Sequence, residues 1–491
     1  MRKQGGNEKK KYALNPYLPE YEYIPDGEPH VFGDRVYVYG SHDRLKGEKF
    51  CMNDYVCYSA DVHDLANWRY EGVIYTRTQD PRMADGTHQL WAPDVVRGKD
   101  GRYYLYYCPD EKIRSIGVAV CNIPAGKYEF YGIVQDKNGG YIGEREGDTI
   151  AFDPGVFIDD DGSIYLYSGN GPIKEAHIGK EPKGSRVMQL ADDMMTIITE
   201  PKKLLPMLGE AQGTGFEGHE FFEASSIRKI NGKYYLVYSS PSLHELCYAV
   251  SDRPDGGYTY GGVLISNAEI KEHSQDKTPL NCYGNNHGGM ECIDGNYYIF
   301  YHRQTNRTMY SRQGCAEKIQ ILEDGSIPQV EMTSGGLNQE PLPGKGVYPA
   351  YCVCNLHGRG PQEISLLKNM GDKYPYLTQD GEDFDRALAD KPSVIPPRMY
   401  ITNCMDGTVA VFRYFGCKDL RKISITVRGD AQGKFVVRTT EGSAAVGEIQ
   451  IAPTEDWTAF SGDVHIADGK QAIIFCYEGS GRVDFLEFEL G

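Results

Sequence analysis

The sequence predicts an all-β protein, a five-bladed β-propeller followed by a β-sandwich of the jelly-roll kind. Two patterns predict it: a tyrosine-rich strand phrase that recurs five times, and a C-terminal run of short alternating strands. Helical i, i+3, i+4 patterning is almost absent. Because single cores stop growing near about 250–300 residues, a chain of 491 residues is expected to form two domains.

The repeated phrases are GDRVYVYGSHD, DGRYYLYYCPD, DGSIYLYSGN, NGKYYLVYSS and DGNYYIFYHRQ. Their equivalent tyrosines are 67, 61, 70 and 63 residues apart and are Tyr37, Tyr104, Tyr165, Tyr235 and Tyr298. Most phrases open with an Asp-Gly or Asn-Gly hairpin signal and continue as an alternating strand. Units of this length predict one four-stranded blade each, hence a five-bladed propeller. The alternative is an array of unrelated hairpins, which the regular spacing disfavours.

The stretch TSGGLNQEPLPGKG (333–346) has the glycine and proline content of an inter-domain connection. We therefore predict a propeller over residues 1–335 and a second domain over 336–491. Beyond the connection lie the phrases TVAVFRYF, KISITVRG, GKFVVRTT, QAIIFCYE and RVDFLEFEL. Short alternating strands separated by turns predict a β-sandwich.

Charge and cysteine content narrow the partners and the compartment. Lys and Arg total 52 and Asp and Glu total 69, a formal charge of −17 that disfavours nucleic acid and acidic membrane surfaces. The 13 cysteines form no CxxC pair, which favours reduced thiols over a zinc site or a disulfide framework. The N-terminus has no apolar stretch typical of a signal peptide or membrane anchor. We therefore expect a cytoplasmic protein; the sequence carries no signal for its oligomeric state.

Carboxylates near the predicted inner strands are the candidates for chemistry. Asp26 and Glu28 lie in YIPDGEPHVF, Asp153 in AFDPGVFIDDDG and Glu223 in FEGHEFFEASS. Each phrase precedes a blade hairpin by a similar distance, so the side chains are expected to converge where the blades meet. Two carboxyl groups flanking a glycosidic bond are the groups that its hydrolysis requires.

From about residue 15 to about residue 336 the chain resembles glycoside hydrolase family 43, the propeller family of β-xylosidases, α-L-arabinofuranosidases and arabinanases. The resemblance rests on the ordered motifs NPYLPEYEYIPDGEPHVFGDRVYVYGSHD, LWAPDVV, FDPGVFIDDDGSIYL, FEASSIRKINGKYYLVYS and NNHGGMECIDGNYYIFYHR. It implies Asp26 as general base, Asp153 as the residue that tunes and orients the acid, and Glu223 as general acid. It also implies an oligosaccharide substrate from arabinoxylan or arabinan, and no cofactor for the chemistry.

The acid and the base each have a local sequence context. Phe222 and the phenylalanine before it would raise the pKa of Glu223 through an apolar setting, and a charged Asp153 would raise it further. We also count Phe222 among the substrate-binding residues. Most relatives carry Asp-Pro at the base, whereas glycine follows Asp26 here, so Glu28 is the alternative base. The distance of Asp26 from the following strand matches the family and favours Asp26.

Further site residues follow from the resemblance. Trp91 and Asp94 of WAPD are expected to stack on the sugar and to bind its hydroxyls, with a core tryptophan as the alternative. Arg312 in YSRQG is expected to reach the terminal sugar, with Arg303 in YHRQTN as the alternative. His287 in NNHGGM resembles the histidine near the propeller axis that in many relatives coordinates a central ion, often calcium, directly or through water. Its alternative role is a hydrogen-bonded core histidine.

The C-terminal domain is similar to family 6 carbohydrate-binding modules, mainly through PTEDWTAFSGDVHIADGKQAIIFCYEGSGRVDFLEFEL. A binding module presents exposed aromatic rings, for which Trp457 and Tyr414 are candidates. We favour a structural role, in which the domain supports the propeller or closes its substrate pocket.

Together these features predict an inverting exo-glycosidase that releases terminal α-L-arabinofuranose or β-D-xylose from plant cell-wall oligosaccharides. The alternatives are a β-D-galactofuranosidase of the same family and a non-catalytic glycan-binding propeller. The Asn-Asp-Pro and Arg-Asp-Pro motifs of the related β-fructosidases are absent from the sequence.

Overall fold

A computed structural model describes residues 12–110, 112–360, 373–390 and 394–491. These residues form seven β-sheets, which confirms the all-β prediction. The helices of the described residues are short: α1 (Phe384–Asp390) and the 3-10 turns Arg77–Gln79, Pro81–Met83, Glu175–His177 and Ala350–Cys352. None of the described helices has the length and apolar character that spanning a bilayer would require.

Five sheets are antiparallel meanders that follow one another along the chain. The first contains β1 (Glu28–Phe32), β2 (Arg35–Tyr39), β3 (Tyr55–Asp61) and β4 (Asp64–Tyr75). The second contains β5 (Leu90–Arg97), β6 (Tyr103–Pro109), β7 (Gly117–Cys121) and β8 (Glu129–Ile133). The third contains β9 (Gly155–Ile158), β10 (Ile164–Asn170), β11 (Gly184–Leu190) and β12 (Lys202–Lys203). The fourth contains β13 (Glu223–Ile230), β14 (Lys233–Ser239), β15 (Glu245–Ser251) and β16 (Thr259–Ser266). The fifth contains β17 (Met290–Ile293), β18 (Asn296–Gln304) and β19 (Arg312–Ile319).

Each repeated tyrosine lies on the second strand of its blade, as the spacing predicts. These second strands are packed between neighbouring blades, so both of their faces are buried. In β6 every residue from Tyr103 to Pro109 is buried. The turn before β10 contains Gly162 at φ +85°, a conformation that glycine adopts without strain.

The first strands of the blades surround the propeller axis and close the ring. β1 contacts both β5 of the second blade and β17 of the last blade. The N-terminal segment seals the junction between first and last blades: Asn15 Nδ2 donates to Ala316 O at 3.0 Å and Tyr17 N donates to Gly314 O at 3.2 Å. The innermost strands therefore begin around one common opening.

The fifth blade has three strands, whereas the sequence analysis expected four in each. After β19 the chain makes an Asp-Gly turn at Gly325 and then reaches Pro328, which has no backbone N–H to donate to a ladder. Val330 N instead donates to Leu264 O of the fourth blade at 2.9 Å as the chain leaves the propeller. The predicted boundary at 335/336 falls in this connection.

Two six-stranded sheets form the second domain and confirm the sandwich prediction. One sheet contains β20 (Leu342–Pro343), β22 (Asn355–His357), β25 (Val409–Cys417), β27 (Gln432–Arg438), β28 (Gly447–Ile451) and β30 (Gly469–Ser480). The other contains β21 (Gly346–Pro349), β23 (Tyr376–Gln379), β24 (Met399–Cys404), β26 (Lys422–Gly429), β29 (Thr454–Asp463) and β31 (Val483–Leu490). Phenylalanine rings pack between them; the Phe412 and Phe488 centroids, for example, lie 4.7 Å apart.

The two domains share buried contacts. Leu14, Tyr23 and Leu45 of the propeller belong to the same apolar cluster as the sandwich core. Asn306 Nδ2 of the propeller donates to Leu377 O of the sandwich at 2.7 Å. The sandwich is therefore packed directly against the propeller.

Candidate active site

A pocket of about 150 Å³ lies where the inner strands of the propeller begin. It brings together the three carboxyl groups singled out in the sequence, those of Asp26, Asp153 and Glu223. The other lining residues are Phe50, Cys51, Trp91, Ala92, Phe152, Ile173, Phe222, Leu243, Asn285, His287 and Arg312. The pocket is thus a mostly apolar cavity with a few converging charged groups.

The backbone at each carboxyl residue departs from regular strand geometry. Asp26 has φ +56° and Asp153 has φ +47°, immediately before the first strands of their blades. Glu223 begins β13 at a register shift before Ser226, and Ala224 has φ +70°. Such bulges redirect side chains beside active sites, and each left-handed non-glycine residue costs about 1–3 kcal/mol. The surrounding contacts therefore hold these side chains in place.

Asp26 is fixed by a buried cation. Arg312 Nη1 donates to Asp26 Oδ1 at 2.9 Å, and His302 Nδ1 lies 3.1 Å from the same oxygen. Burial alone would raise the pKa of Asp26, but Arg312, followed by His302, outweighs burial and holds that pKa well below its usual range. Asp26 is therefore a carboxylate throughout the neutral range. The orientation of Arg312 in turn comes from Asp43, whose Oδ2 accepts from Arg312 Nε at 2.8 Å.

Glu223 has the opposite character. Burial, and then the negative charge of Asp26, raises the pKa of Glu223 to about 8. Asn170 Nδ2 donates to Glu223 Oε2 at 3.2 Å, and Lys183 Nζ donates to Asn170 Oδ1 at 3.2 Å. Glu223 consequently carries a proton at neutral pH, as a general acid must.

Asp153 differs from the sequence expectation of a charged carboxylate that raises the pKa of Glu223. Burial and the neighbouring Glu223 raise the pKa of Asp153 well above its ordinary value. Its contacts include Ala224 N, which donates to Oδ2 at 3.2 Å, and His287 Nδ1 at 3.5 Å. Burial lowers the pKa of His287 to about 4, so this histidine supplies no charge. The negative charge that raises the pKa of Glu223 therefore comes from Asp26 rather than from Asp153.

The aromatic wall includes two predicted substrate residues. Trp91 and Phe222 both line the pocket. The Trp91 ring meets Phe152 edge to face at 5.5 Å, and its buried Nε1 has no hydrogen-bond partner among the described residues. This placement favours a substrate-facing Trp91 over a core tryptophan.

The structure corrects two of the predicted substrate contacts. Asp94 does not line the pocket, because its carboxylate accepts from Val95 N and Val156 N, both at 2.7 Å, and so ties β5 to β9. Arg303 also lies away from the pocket, where its Nη1 donates to Val353 O of the sandwich at 2.7 Å. Arg312, by contrast, is in the pocket, although its guanidinium is directed to Asp26 and Asp43.

The alternative base, Glu28, is buried on the channel below the pocket. Its Oε2 accepts from Ser226 Oγ at 3.0 Å and lies 3.4 Å from Arg228 Nη2. Burial and the charge of Asp94 raise the pKa of Glu28 to about 8. Glu28 therefore meets neither the position nor the protonation state that a base requires, which favours Asp26.

The described residues near His287 do not fit the predicted axial calcium ion. Calcium prefers six to eight oxygen ligands, whereas His287 offers nitrogen and belongs to none of the described groups of potential ligand atoms. Those groups are His219, Glu245 and Cys247; Glu22, His42 and Asp385; and Glu28, His30 and Asp94. The last of these lies on the propeller channel, where Arg228 already supplies positive charge. Calcium stays a prediction without a site at His287.

The sequence analysis missed several lining residues. Asn285 stands two positions before His287 in NNHGGM and could have been found from that motif. Phe50 and Cys51 come from the loop between β2 and β3, and Leu243 from the turn between β14 and β15. No local pattern marks these loop residues, because only the fold brings them to the pocket.

A buried carboxylate and a buried protonated carboxyl group in one pocket of a five-bladed propeller are the groups that a glycoside hydrolase requires. Residues 29–327 match the sequence profile described as Glycosyl hydrolases family 43. The chain is 50% identical over 485 residues to a xylosidase/arabinosidase of Thermoclostridium stercorarium, covering 98% of this chain and 99% of that protein. The chain therefore belongs to glycoside hydrolase family 43.

Two solved structures resemble the fold. The Bacillus subtilis family 43 arabinoxylan arabinofuranohydrolase in complex with cellotetraose aligns over 97% of both chains, with a TM-score of 0.51 and 20% identity. A family 43 enzyme of Xanthomonas citri in complex with xylose covers 66% of this chain and 93% of its own, with a TM-score of 0.52 and 26% identity. The first extends over both domains, and the second over two thirds of this chain.

Proposed function

We propose that this protein is an inverting exo-glycosidase that releases terminal α-L-arabinofuranose or β-D-xylose from plant cell-wall oligosaccharides, such as fragments of arabinoxylan or arabinan. The observation that carries the proposal is the contrasting setting of two carboxyl groups in one pocket. Arg312 donates to Asp26 at 2.9 Å and holds its pKa low, whereas buried Glu223 accepts from the neutral amide of Asn170 and its pKa is raised. When the surroundings of two neighbouring carboxyl groups shift their pKa values in opposite directions, the group with the low pKa can act as the base and the group with the high pKa as the acid.

In the proposed reaction Asp26 removes a proton from a water molecule as the water oxygen bonds to the anomeric carbon. Glu223 gives its proton to the leaving glycosidic oxygen as the bond between that oxygen and the anomeric carbon breaks. Asp153 acts through position, because its contact with Ala224 N fixes the backbone beside Glu223. Trp91 and Phe222 supply apolar surface for one face of the sugar.

Exo action and a pentose substrate are supported by the site and by the relative. The pocket is about 150 Å³ and is lined by apolar side chains on several sides, dimensions that suit one terminal sugar. The Thermoclostridium stercorarium relative, half identical over nearly the whole chain, is named for xyloside and arabinoside cleavage.

Release of p-nitrophenol from three glycosides tests the proposal: the α-L-arabinofuranoside, the β-D-xylopyranoside and the β-D-galactofuranoside. We expect hydrolysis of one or both pentosides and its loss in Glu223→Ala. Proton NMR of the first product should show the anomer opposite to that of the substrate. Hydrolysis of the galactofuranoside alone would reassign the sugar. No release from any of them or from arabinoxylan oligosaccharides would favour the glycan-binding alternative.

We also propose a cytoplasmic, reducing location. All thirteen cysteines are free and nine of them are buried, a state that a reducing compartment maintains. Alkylation of intact cells of the source organism with a permeant and an impermeant maleimide, followed by denaturation, would test this. We expect the permeant maleimide to label the protein and the impermeant one not to. Labelling by both reagents would place the protein outside the cell membrane.

A further inference from the structure

The loop of residues 41–54, between β2 and β3, contributes to both the pocket wall and the network that holds the base. Phe50 and Cys51 line the pocket. Asp43 Oδ2 accepts from Arg312 Nε at 2.8 Å and from Arg312 N at 3.1 Å, while Arg312 Nη1 donates to Asp26 at 2.9 Å. The position of the base therefore depends on where this loop holds Asp43.

The C-terminal domain contacts the same loop on both sides of Asp43. His42 Nε2 lies 3.1 Å from Asp385 Oδ2, and Leu45 N donates to Asp383 Oδ2 at 2.9 Å. Asp383 precedes helix α1 and Asp385 lies in its first turn. The side chain of Leu45 is buried in the apolar cluster that includes the sandwich core. Two polar contacts and one apolar contact thus fix a stretch of four residues.

The contact between His42 and Asp385 is a charged one that joins a buried histidine to a partly exposed carboxylate. Burial by itself would lower the pKa of His42, but Asp385, followed by Glu22, raises it to about 9. His42 Nδ1 also donates to Asp54 O at 2.9 Å, at the other end of the loop. Removing Asp385 leaves the buried charge of His42 with only the more distant Glu22, whose Oε2 lies 3.6 Å from His42 Nε2, and so weakens its compensation.

The aromatic residues proposed for glycan stacking in the C-terminal domain have other partners. The Arg428 guanidinium lies 4.3 Å from the centroid of the Trp457 ring, and Lys470 Nζ lies 4.0 Å from that of Tyr414. The Tyr414 hydroxyl donates to Glu331 at 2.6 Å. These contacts favour a structural role for the domain over a carbohydrate-binding one.

We propose that Asp383 and Asp385 are positioning residues for glycoside hydrolysis, through which the C-terminal domain fixes the 41–54 loop and hence the Asp43–Arg312–Asp26 network. The inference rests on the proposed function, because Asp26 must act as the base. It gives the C-terminal domain a role in the catalytic rate that is separate from polysaccharide binding.

Asp385→Asn tests the proposal in the full-length protein. An ångström of misplacement costs on the order of 10²-fold, so a smaller displacement of the base should lower kcat by about 10-fold. We expect KM to change less than about twofold, since Trp91 and Phe222, the proposed sugar-binding surface, lie outside the 41–54 loop. Asp484→Asn is the matched control, because Asp484 is equally buried and ion-paired to Arg428 within the sandwich. Thermal melting of both variants checks that they are folded.

A double-mutant cycle separates the proposed linkage from general damage. His42→Gln should lower kcat as Asp385→Asn does, and the double variant should lose little more than either single variant. Wild-type kcat in Asp385→Asn, a loss matched by Asp484→Asn, or multiplying losses in the double variant would each overturn the inference. Inactivity of the wild type on all three glycosides would overturn the proposed function instead, so the two failures are distinct.

Discussion

Two carboxyl groups in one pocket differ in protonation because their neighbours differ in charge. Asp26 has the Arg312 guanidinium at 2.9 Å, whereas Glu223 accepts a hydrogen bond at 3.2 Å from a neutral amide, that of Asn170. Burial penalises both charged forms, but Arg312 outweighs it only at Asp26; at Glu223 burial and the charge of Asp26 prevail over the same cation. The residue types could be predicted from their motifs, while the assignment of the charge depends on a residue 286 positions away in the sequence.

The pH profile of kcat/KM reports this difference. Glu223 must be protonated, so activity should fall by about tenfold per pH unit once the pH rises through about 8. The pKa of Asp26 is held low, so protonation of Asp26 should not reduce kcat/KM at any pH above the usual titration range of an aspartate. Measurement from pH 4 to pH 10 on an active glycoside would check both limbs. A rate that stays constant up to pH 10 would contradict the assignment of Glu223 as the acid.

Substitution of Arg312 should move the acid limb. Arg312→Lys removes the guanidinium group that donates to both Asp26 and Asp43. The pKa of Asp26 should therefore rise, and the acid limb should shift to higher pH. A loss of about 10²-fold in kcat/KM is expected, the lower end of what a general base contributes. Arg428→Lys in the sandwich is the control. An unchanged acid limb with normal kcat/KM would show that Arg312 does not govern the base.

Asp94 tests the correction of a predicted substrate contact. Asp94→Ala removes two short charged hydrogen bonds, from Val95 N and Val156 N, and the contact with His30 Nε2 at 2.7 Å, so the free energy of unfolding should fall by about 2–3 kcal/mol. Because Asp94 does not line the pocket, KM of the folded variant should stay near that of the wild type. Urea denaturation and steady-state kinetics measure the two quantities. A KM raised tenfold at unchanged stability would restore the role in sugar binding.

At the scale of elements, the period of the tyrosine phrases predicted the blades well because each phrase is a middle strand buried on both faces. What the pattern could not predict is where the inner strands become irregular. The register shifts of β5 between Trp91 and Asp94 and of β13 between Glu223 and Ser226 depend on how neighbouring blades meet. Trp91 lines the pocket, whereas Asp94, beyond the shift in β5, accepts from Val156 N of the neighbouring blade.

The close approach of β9 to β13 gives a prediction for one glycine. A Cβ at Gly155 would lie 2.3 Å from Ser225 O, so Gly155→Ala must push the two inner strands apart. Overpacking of this kind costs about 1–3 kcal/mol, and it should also lower kcat by separating Asp153 from Glu223. Gly215→Ala, whose Cβ would meet only Tyr260 Cβ at 3.5 Å, is the control. Equal melting temperatures and rates for both variants would contradict this account.

At the scale of the whole molecule, the sequence separates two domains, yet the structure joins them through buried groups. Arg303, predicted as a possible sugar ligand, instead donates to Val353 O of the sandwich. Such long-range contacts leave no periodic signal, since each side obeys the pattern of its own strand or loop. For the same reason composition and repeats predicted the architecture but not which propeller loops the sandwich would hold.

The shared core leads to a prediction about unfolding. Leu14, Tyr23 and Leu45 are buried with sandwich residues, so unfolding of the sandwich would expose propeller side chains to water. Leu377 N also donates to Thr305 O at 2.8 Å across the domain junction. We therefore expect one cooperative transition in scanning calorimetry, with catalytic activity lost over the same temperature range.

Leu45→Ala should lower the midpoint and begin to split the transition, because it removes an apolar contact between the domains. Two resolved transitions in the wild type, with activity surviving the first, would mean that the propeller needs neither the shared core nor the support of the sandwich.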